Sequence, residues 1–259
     1  MNIKNRTKIN RLVGQWPRGT VGTVAYLKKL GFSNSLIIEY KKNRWLESVG
    51  PGAYKLDTDK IDWLGGVYTL QKQMGLSIHP GGKSALEMRG LVHFVSGASP
   101  AEFLFGFRGE RLPAWFKNYK WETRIIYQPL MLFPADLNTG LSSHTYKEFS
   151  IKISAPERAI IELLNNMPRY HTFEDCFYIF ENLVSLRPQV CQELLEQCNS
   201  IKVKRLFLYM GETLNHTWLK DLDLERIGLG KGPRMIVEGG VLDPKYQITV
   251  PKSSLNYEK

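Results

Sequence analysis

Residues 19–56 read GTVGTVAYLKKLGFSNSLIIEYKKNRWLESVGPGAYKL, and this stretch decides the fold of the chain's beginning. Val24, Ala25, Leu27 and Leu30 recur with helical spacing, which predicts a helix over Val21–Leu30. Gly31 follows at once, where a helix C-terminus favours a residue that tolerates positive φ. Ser33 stands where an N-cap belongs, its hydroxyl able to accept an orphan backbone N–H. A second helix then runs to about Arg44. Leu36, Ile37 and Tyr40 lie on one side of it, while Asn34, Ser35, Lys41 and Lys42 lie largely on the other. Trp45, Leu46 and Val49 begin a strand, Gly50-Pro51-Gly52 turns it, and Ala53–Leu56 returns. Two short helices joined through glycine and followed by a hairpin form the layout whose second helix enters a DNA major groove, a winged helix-turn-helix. The competing reading is a structural helical hairpin with an appended β-ribbon.

Charge separates the two. Residues 1–60 hold 12 Lys/Arg (4, 6, 8, 11, 18, 28, 29, 41, 42, 44, 55, 60) and 4 Asp/Glu (39, 47, 57, 59), a net of +8. The whole chain carries +10, so residues 61–259 carry only +2. Excess positive charge concentrated in one module supplies the phosphate attraction that dominates non-specific DNA affinity.

The chain, 259 residues long with 43% hydrophobic and 23% charged residues, has the composition of a folded protein with room for two domains. No apolar run approaches the ~18–20 residues a membrane helix requires. The first residues, MNIKNRTKINRLV, are basic without the apolar core of a secretory signal. Cys176, Cys191 and Cys198 are odd in number and lack framework spacing, which suits free thiols in a reducing cytosol.

Residues 2–15 are expected to form a first helix, ended by Trp16-Pro17. DTDKID (57–62) reads as a polar linker, so the expected domains are 1–60 and 61–259. The second mixes strands and helices to about residue 153. Trp63, Val67, Leu70 and Met74 share a helical face, Ser84–Leu91 is a short helix, and Val92–Val95, Glu102–Phe107, Thr123–Gln128 and Glu148–Ile153 read as strands. From 154 to about 220 it is mainly helical. Ser154-Ala155-Pro156-Glu157 has the form of a capping box, and further helices are expected near 173–185, 188–199 and 202–214. Short strands follow at Arg234–Val237 and Tyr246–Val250. The fold class is therefore α+β.

Candidate chemistry is sparse. His79-Pro80-Gly81-Gly82-Lys83-Ser84 suggests a phosphate loop, but Ser77 stands where the first Walker glycine is required, so a glycine turn entering a helix is the better reading. Gly228, Gly230 and Gly232 lack the flanking strand and helix of a dinucleotide fingerprint. His171 with Cys176, and Cys191 with Cys198, lack the paired spacing of a zinc site. No nucleophile motif or clustered carboxylates indicate an enzyme. Lys202, Lys204 and Arg205 read as a solvated helix face, with an anion-binding patch as the alternative.

These residues resemble the AbiEi family, antitoxins and transcriptional repressors of type IV toxin–antitoxin systems. The similarity rests on Trp16–Thr20, Tyr26-Leu27, Trp45-Leu46 and Gly50–Tyr54. It continues through Gly82–Leu86 with Gly90, Ser154–Ala159 and Lys202–Leu206. The resemblance implies an N-terminal winged helix followed by a larger antitoxin domain. It also implies autorepression through operator inverted repeats, and counteraction of a toxin with a nucleotidyltransferase fold. Arg44 departs from the pattern, since a small residue such as glycine is expected between the second helix and the hairpin.

The leading expectation is a cytoplasmic, non-enzymatic DNA-binding antitoxin without cofactor or metal. Its DNA contacts would be Thr20, Thr23, Ser33, Asn34, Ser35, Lys41, Lys42, Arg44, Tyr54 and Lys55. The alternatives are a winged-helix regulator whose second domain binds a ligand and has no toxin partner, and an enzyme with a site near His79–Ser84.

Overall fold

The computed structural model describes residues 3–92 and 101–252, without the side chains of residues 3–7 and 11. Its elements in chain order are α1 (Ile3–Gln15), β1 (Gly22–Thr23), α2 (Val24–Lys29), α3 (Asn34–Lys42), β2 (Leu46–Gly50), β3 (Ala53–Leu56), α4 (Trp63–Lys72), β4 (His79–Pro80), α5 (Gly82–Met88), β5 (Ala101–Phe107), α6 (Ala114–Asn118), β6 (Arg124–Leu130), β7 (Leu141–Tyr146), β8 (Phe149–Ser154), α7 (Pro156–Asn165), α8 (Phe173–Glu181), α9 (Pro188–Gln197), α10 (Ile201–Thr213), β9 (Arg234–Met235), β10 (Val241–Asp243) and β11 (Ile248–Val250). The mixture of helix and strand is that of an α+β protein. The strand expected at Val92–Val95 falls largely outside the described residues. None of the described helices is long and apolar enough to cross a membrane.

The chain divides into two compact units. The first comprises residues 1–79, 105–129 and 143–152. Its core joins Ile9, Leu12, Trp16, Leu27, Phe32, Leu36, Ile37, Tyr40, Leu46 and Leu56. Its antiparallel sheet has the order β1–β3–β2, with Gly22 opposite Tyr54 and Leu46 opposite Leu56. The helix expected from Val21 starts later because Gly22 and Thr23 pair with the hairpin. Gly22 is required there: a Cβ would lie 2.3 Å from the Trp16 ring.

The boundary expected after residue 60 runs through this unit, and 57–62 is more than a linker. Asp59 is buried and accepts from Arg18 Nη1 at 2.7 Å and Gly19 N at 3.0 Å. Asp62 caps α4 by accepting from Gly65 N at 3.0 Å. Thr69 on α4 donates to Val21 O at 2.6 Å, and Gln73 accepts from Thr23 N at 2.9 Å, so α4 closes the open edge around β1. Short polar residues at 57–62 carry the same composition whether they loop freely or cap and anchor, so composition alone does not distinguish the two roles.

The second unit comprises residues 80–104, 130–142 and 153–259. Its core gathers α7, α8, α9 and α10; in α10, Val203, Leu206, Phe207, Leu208 and Met210 are all fully buried. The C-terminal sheet has the order β10–β11–β9, with β9 parallel to β11.

Two local expectations are corrected here. The capping box at Ser154–Glu157 does not form; Ala155 is the N-cap and Pro156 occupies the first turn. Ser154 instead donates to Glu162 Oε2 at 2.7 Å, and Glu157 accepts from Arg187 N, Nε and Nη2 at 2.9–3.0 Å. A capping box does form at Thr172 and Asp175. Lys204 and Arg205, read as solvated, are only 5% and 3% exposed. Arg205 donates to the carbonyls of Leu229 (2.8 Å), Gly230 (3.1 Å), Gly232 (2.6 Å) and Gln247 (3.2 Å), clamping the glycine-rich loop.

The Gly81-Gly82 turn is already occupied. Gly82 N donates to Glu162 Oε2 at 3.1 Å and Ser84 Oγ accepts from Phe103 N at 2.8 Å. A carboxylate of the chain itself fills the place a phosphate would take.

Candidate nucleic-acid interface

The end of α2 and the start of α3 are built as the spacing predicts. Gly31 has φ +87°, and its N–H donates to Lys28 O while Phe32 N donates to Leu27 O, which closes a Schellman motif. Ser33 then caps α3 by accepting from Leu36 N at 3.3 Å. The glycine is the hinge that turns one helix into the next, because its αL conformation costs little without a Cβ.

The far end of α3 uses the same motif with a different residue. Arg44 N donates to Lys41 O and Trp45 N to Tyr40 O, with Arg44 at φ +56°. Arginine stands where glycine is favoured, so the departure from the family pattern is accommodated by strain, on the order of 1 kcal/mol. The backbone path into β2 is the one glycine would make. What arginine adds is a cation at the helix end.

α3 buries Leu36, Ile37 and Tyr40 and leaves Asn34, Ser35, Lys41 and Lys42 exposed. Ile38 belongs to the same outer face and is 53% exposed. Its position four residues after Asn34 and three before Lys41 is the signal that places it there, although its apolar character points to the core. Lys28, Lys29 and Arg44 are also exposed. The β2–β3 hairpin bulges between Ser48 and Gly50 and turns at Pro51-Gly52, where Gly52 has φ +71°. Gly50 lies against α6: a Cβ would be 2.8 Å from Trp115 Cα.

Three expected DNA contacts do not fit the geometry. Thr20 is fully buried, donating to Pro17 O at 2.7 Å and accepting from Trp16 Nε1 at 3.1 Å. Thr23 is 8% exposed and is the N-cap of α2, accepting from Tyr26 N at 3.2 Å. Lys55 lies along the sheet, its side chain 11% exposed, with Nζ 2.7 Å from Glu47 Oε2 and 2.9 Å from Asp59 O. Cross-strand pairing neutralises it, since Glu47 is its register partner. Tyr54 is half-buried on β3. Ser33, Asn34, Ser35, Lys41, Lys42 and Arg44 remain together on the exposed side.

No other centre of chemistry stands out among the described residues. The three cysteines are buried free thiols, and burial pushes Cys198 up to about 11 and Cys176 and Cys191 higher still. Among the described residues no three His, Cys, Asp or Glu side chains gather as metal ligands.

Comparison with curated proteins finds no match. Among solved structures, the crystal structure of RV2827C protein from Mycobacterium tuberculosis is similar in fold, with a TM-score of 0.62 at 15% identity over 96% of this chain and 92% of that one. Residues 5–97 match the family model for the transcriptional regulator, AbiEi antitoxin N-terminal domain, and residues 100–251 match that for the transcriptional regulator, AbiEi antitoxin, type IV TA system. With both models matched along nearly its whole length, the chain belongs to the AbiEi family of type IV toxin–antitoxin transcriptional regulators.

Proposed function

We propose that the chain is a cytoplasmic autorepressor that binds operator inverted repeats through a winged helix-turn-helix, and an antitoxin that counteracts a nucleotidyltransferase-fold toxin without catalysis of its own. The observation that supports this reading best is the outer face of α3. A helix entered and left through Schellman turns presents Asn34, Ser35, Ile38, Lys41 and Lys42 on one exposed side, opposite a buried apolar side. α1, α2 and α3 with the β1–β3–β2 sheet follow the winged-helix order, and the Pro51-Gly52 turn is the wing tip. Asn34 and Ser35 sit at the N-terminal end that such helices bring to base edges. Ile38 suits the methyl group of a thymine. Lys41, Lys42 and Arg44 suit phosphates. The antitoxin role is assigned mainly to the second unit.

The test separates base recognition from phosphate attraction. Asn34→Ala with Ser35→Ala should weaken operator binding by ~1–3 kcal/mol and leave random DNA nearly unchanged. Lys41→Ala with Lys42→Ala should weaken both and flatten the slope of log affinity against log salt by ~0.9 for each phosphate no longer neutralised. Fluorescence anisotropy over a salt series reads both effects. Equal losses for the two pairs on both DNAs would refute this orientation of α3.

A further inference from the structure

A cavity lies in the first unit, in residues that the DNA-binding reading leaves unused. α6 and the segment entering β6 line this half-open cavity of about 310 Å³, bordered by Phe116, Lys117, Tyr119, Lys120, Trp121 and Thr123. Three aromatic rings gather at it: Trp121 lies 4.9 Å from Phe116 and 4.6 Å from Tyr119 between ring centroids. The wall is held in place before any ligand arrives. Trp121 Nε1 donates to Phe116 O at 2.9 Å and Trp121 N to Tyr119 O at 3.1 Å. Phe116 and Lys117 both donate backbone N–H groups to Pro113 O at 3.0 Å. Gly66 on α4 admits the rings behind, since a Cβ there would be 2.6 Å from Phe116 and 3.0 Å from Trp121.

Lys117 and Lys120 are exposed and have no carboxylate partner among the described residues. No carboxylate lines the cavity. Exposed lysines alone recognise nothing. Lysines bordering a preformed aromatic wall present two complementary elements, a stacking surface for a planar ring and positive charge for an anion attached to it. The volume lies at the small end of ligand pockets, ~300–1,000 Å³. We propose that this cavity binds a nucleotide, its base against the Trp121–Tyr119 wall and its phosphate at Lys117 and Lys120. The nucleotide is either free or an unpaired residue of a nucleic-acid strand.

Calorimetric titration of the full chain tests this with AMP, adenosine, ribose 5-phosphate, inorganic phosphate and a single-stranded oligothymidylate of about ten residues. Saturable binding of AMP, tighter than either of its fragments, supports a free nucleotide. Saturation by the oligothymidylate alone supports a strand residue. Lys117→Gln with Lys120→Gln should weaken whichever binds by ~tenfold or more. Lys117→Arg with Lys120→Arg should retain it, which keeps the result readable if the glutamine pair lowers the melting temperature. Lys41→Ala with Lys42→Ala should leave AMP binding unchanged. The proposal is overturned if neither nucleotide form saturates, if inorganic phosphate binds as well as AMP, or if the glutamine pair binds like the wild type. Loss of AMP binding in the α3 pair would place the site elsewhere and overturn it equally. Operator binding can fail or hold independently of each of these results.

Discussion

Lys41-Lys42 with Arg44, and Lys202 with Lys204-Arg205, look alike on paper: three cations within four residues of a helix or its end. The protein uses them in opposite ways. The first group is exposed at the end of α3, where the helix has its apolar side fully satisfied by Leu36, Ile37 and Tyr40. The second sits in α10, where Arg205 is covered by the glycine-rich loop and Lys202 donates to Met167 O at 2.7 Å. Glycines expose their carbonyls to a donor that can approach closely, and a guanidinium with five N–H groups in a fixed fork can serve four carbonyls at once. A cation cluster is therefore a surface feature only when no backbone acceptors are brought to it.

The largest effect expected from this contrast comes from Arg205. Arg205→Met removes the donor shared by Leu229, Gly230, Gly232 and Gln247 and should cost about 3 kcal/mol in urea unfolding, with weaker hydrogen-exchange protection over 228–232. Lys41→Met, the same kind of change on α3, should stay within ~0.5 kcal/mol. Comparable costs at the two positions would break the contrast.

His171 shows the other side of burial in the second unit. Its Nε2 has no hydrogen-bond partner among the described residues, and its ring packs 5.0 Å from Phe103. Burial, with the positive charge of Lys83 adding to it, pushes its pKa down to about 4. A charge is accepted at Arg205 because acceptors meet it, and disfavoured at His171 because burial strips its water and no acceptor among the described residues meets Nε2. The unfolded chain takes up this proton near pH 6.5 and the folded chain only near 4, so stability is lost as pH falls through that window. The full loss is about 3 kcal/mol, reached near the lower end. His171→Phe keeps the ring and removes the titration, so its melting temperature relative to wild type should rise steadily from pH 7 to 4. Parallel pH profiles would show that His171 does not carry this dependence.

The smallest effect sharpens the comparison at a single residue. Arg44→Gly removes the strain of φ +56° and should raise stability by roughly 0.5–1 kcal/mol, while weakening DNA binding and reducing its salt slope. A stabilised variant with unchanged DNA affinity would mean that the cation at the end of α3 has no role.

Much of the first unit is legible in the chain because its signals are local. Gly31, Ser33 and the 36–37–40 stripe act within a few residues, and the hairpin turns where Gly50-Pro51-Gly52 dictates. Strands at 101–107, 124–130 and 149–154 and helices α7 to α10 are also readable from composition and period. The candidate face is legible in part. Ser33, Asn34, Ser35, Lys41 and Lys42 follow from helical spacing, whereas Ile38 escapes a reading in which residue type outweighs position.

What the sequence by itself determined is the main helices, several of the strands, the caps and turns around α3, and the concentration of charge in residues 1–60. Each depends on neighbours a few bonds away. Only the tertiary structure decided which polar groups remain available. Thr20 and Thr23 were taken inward by Trp16, Pro17 and Gln73, and Lys55 was paired across strands with Glu47. Arg205 met its acceptors 24 to 42 residues further along the chain. Whether a polar side chain faces solvent or an internal partner depends on groups distant in sequence, and no local pattern encodes where those groups arrive.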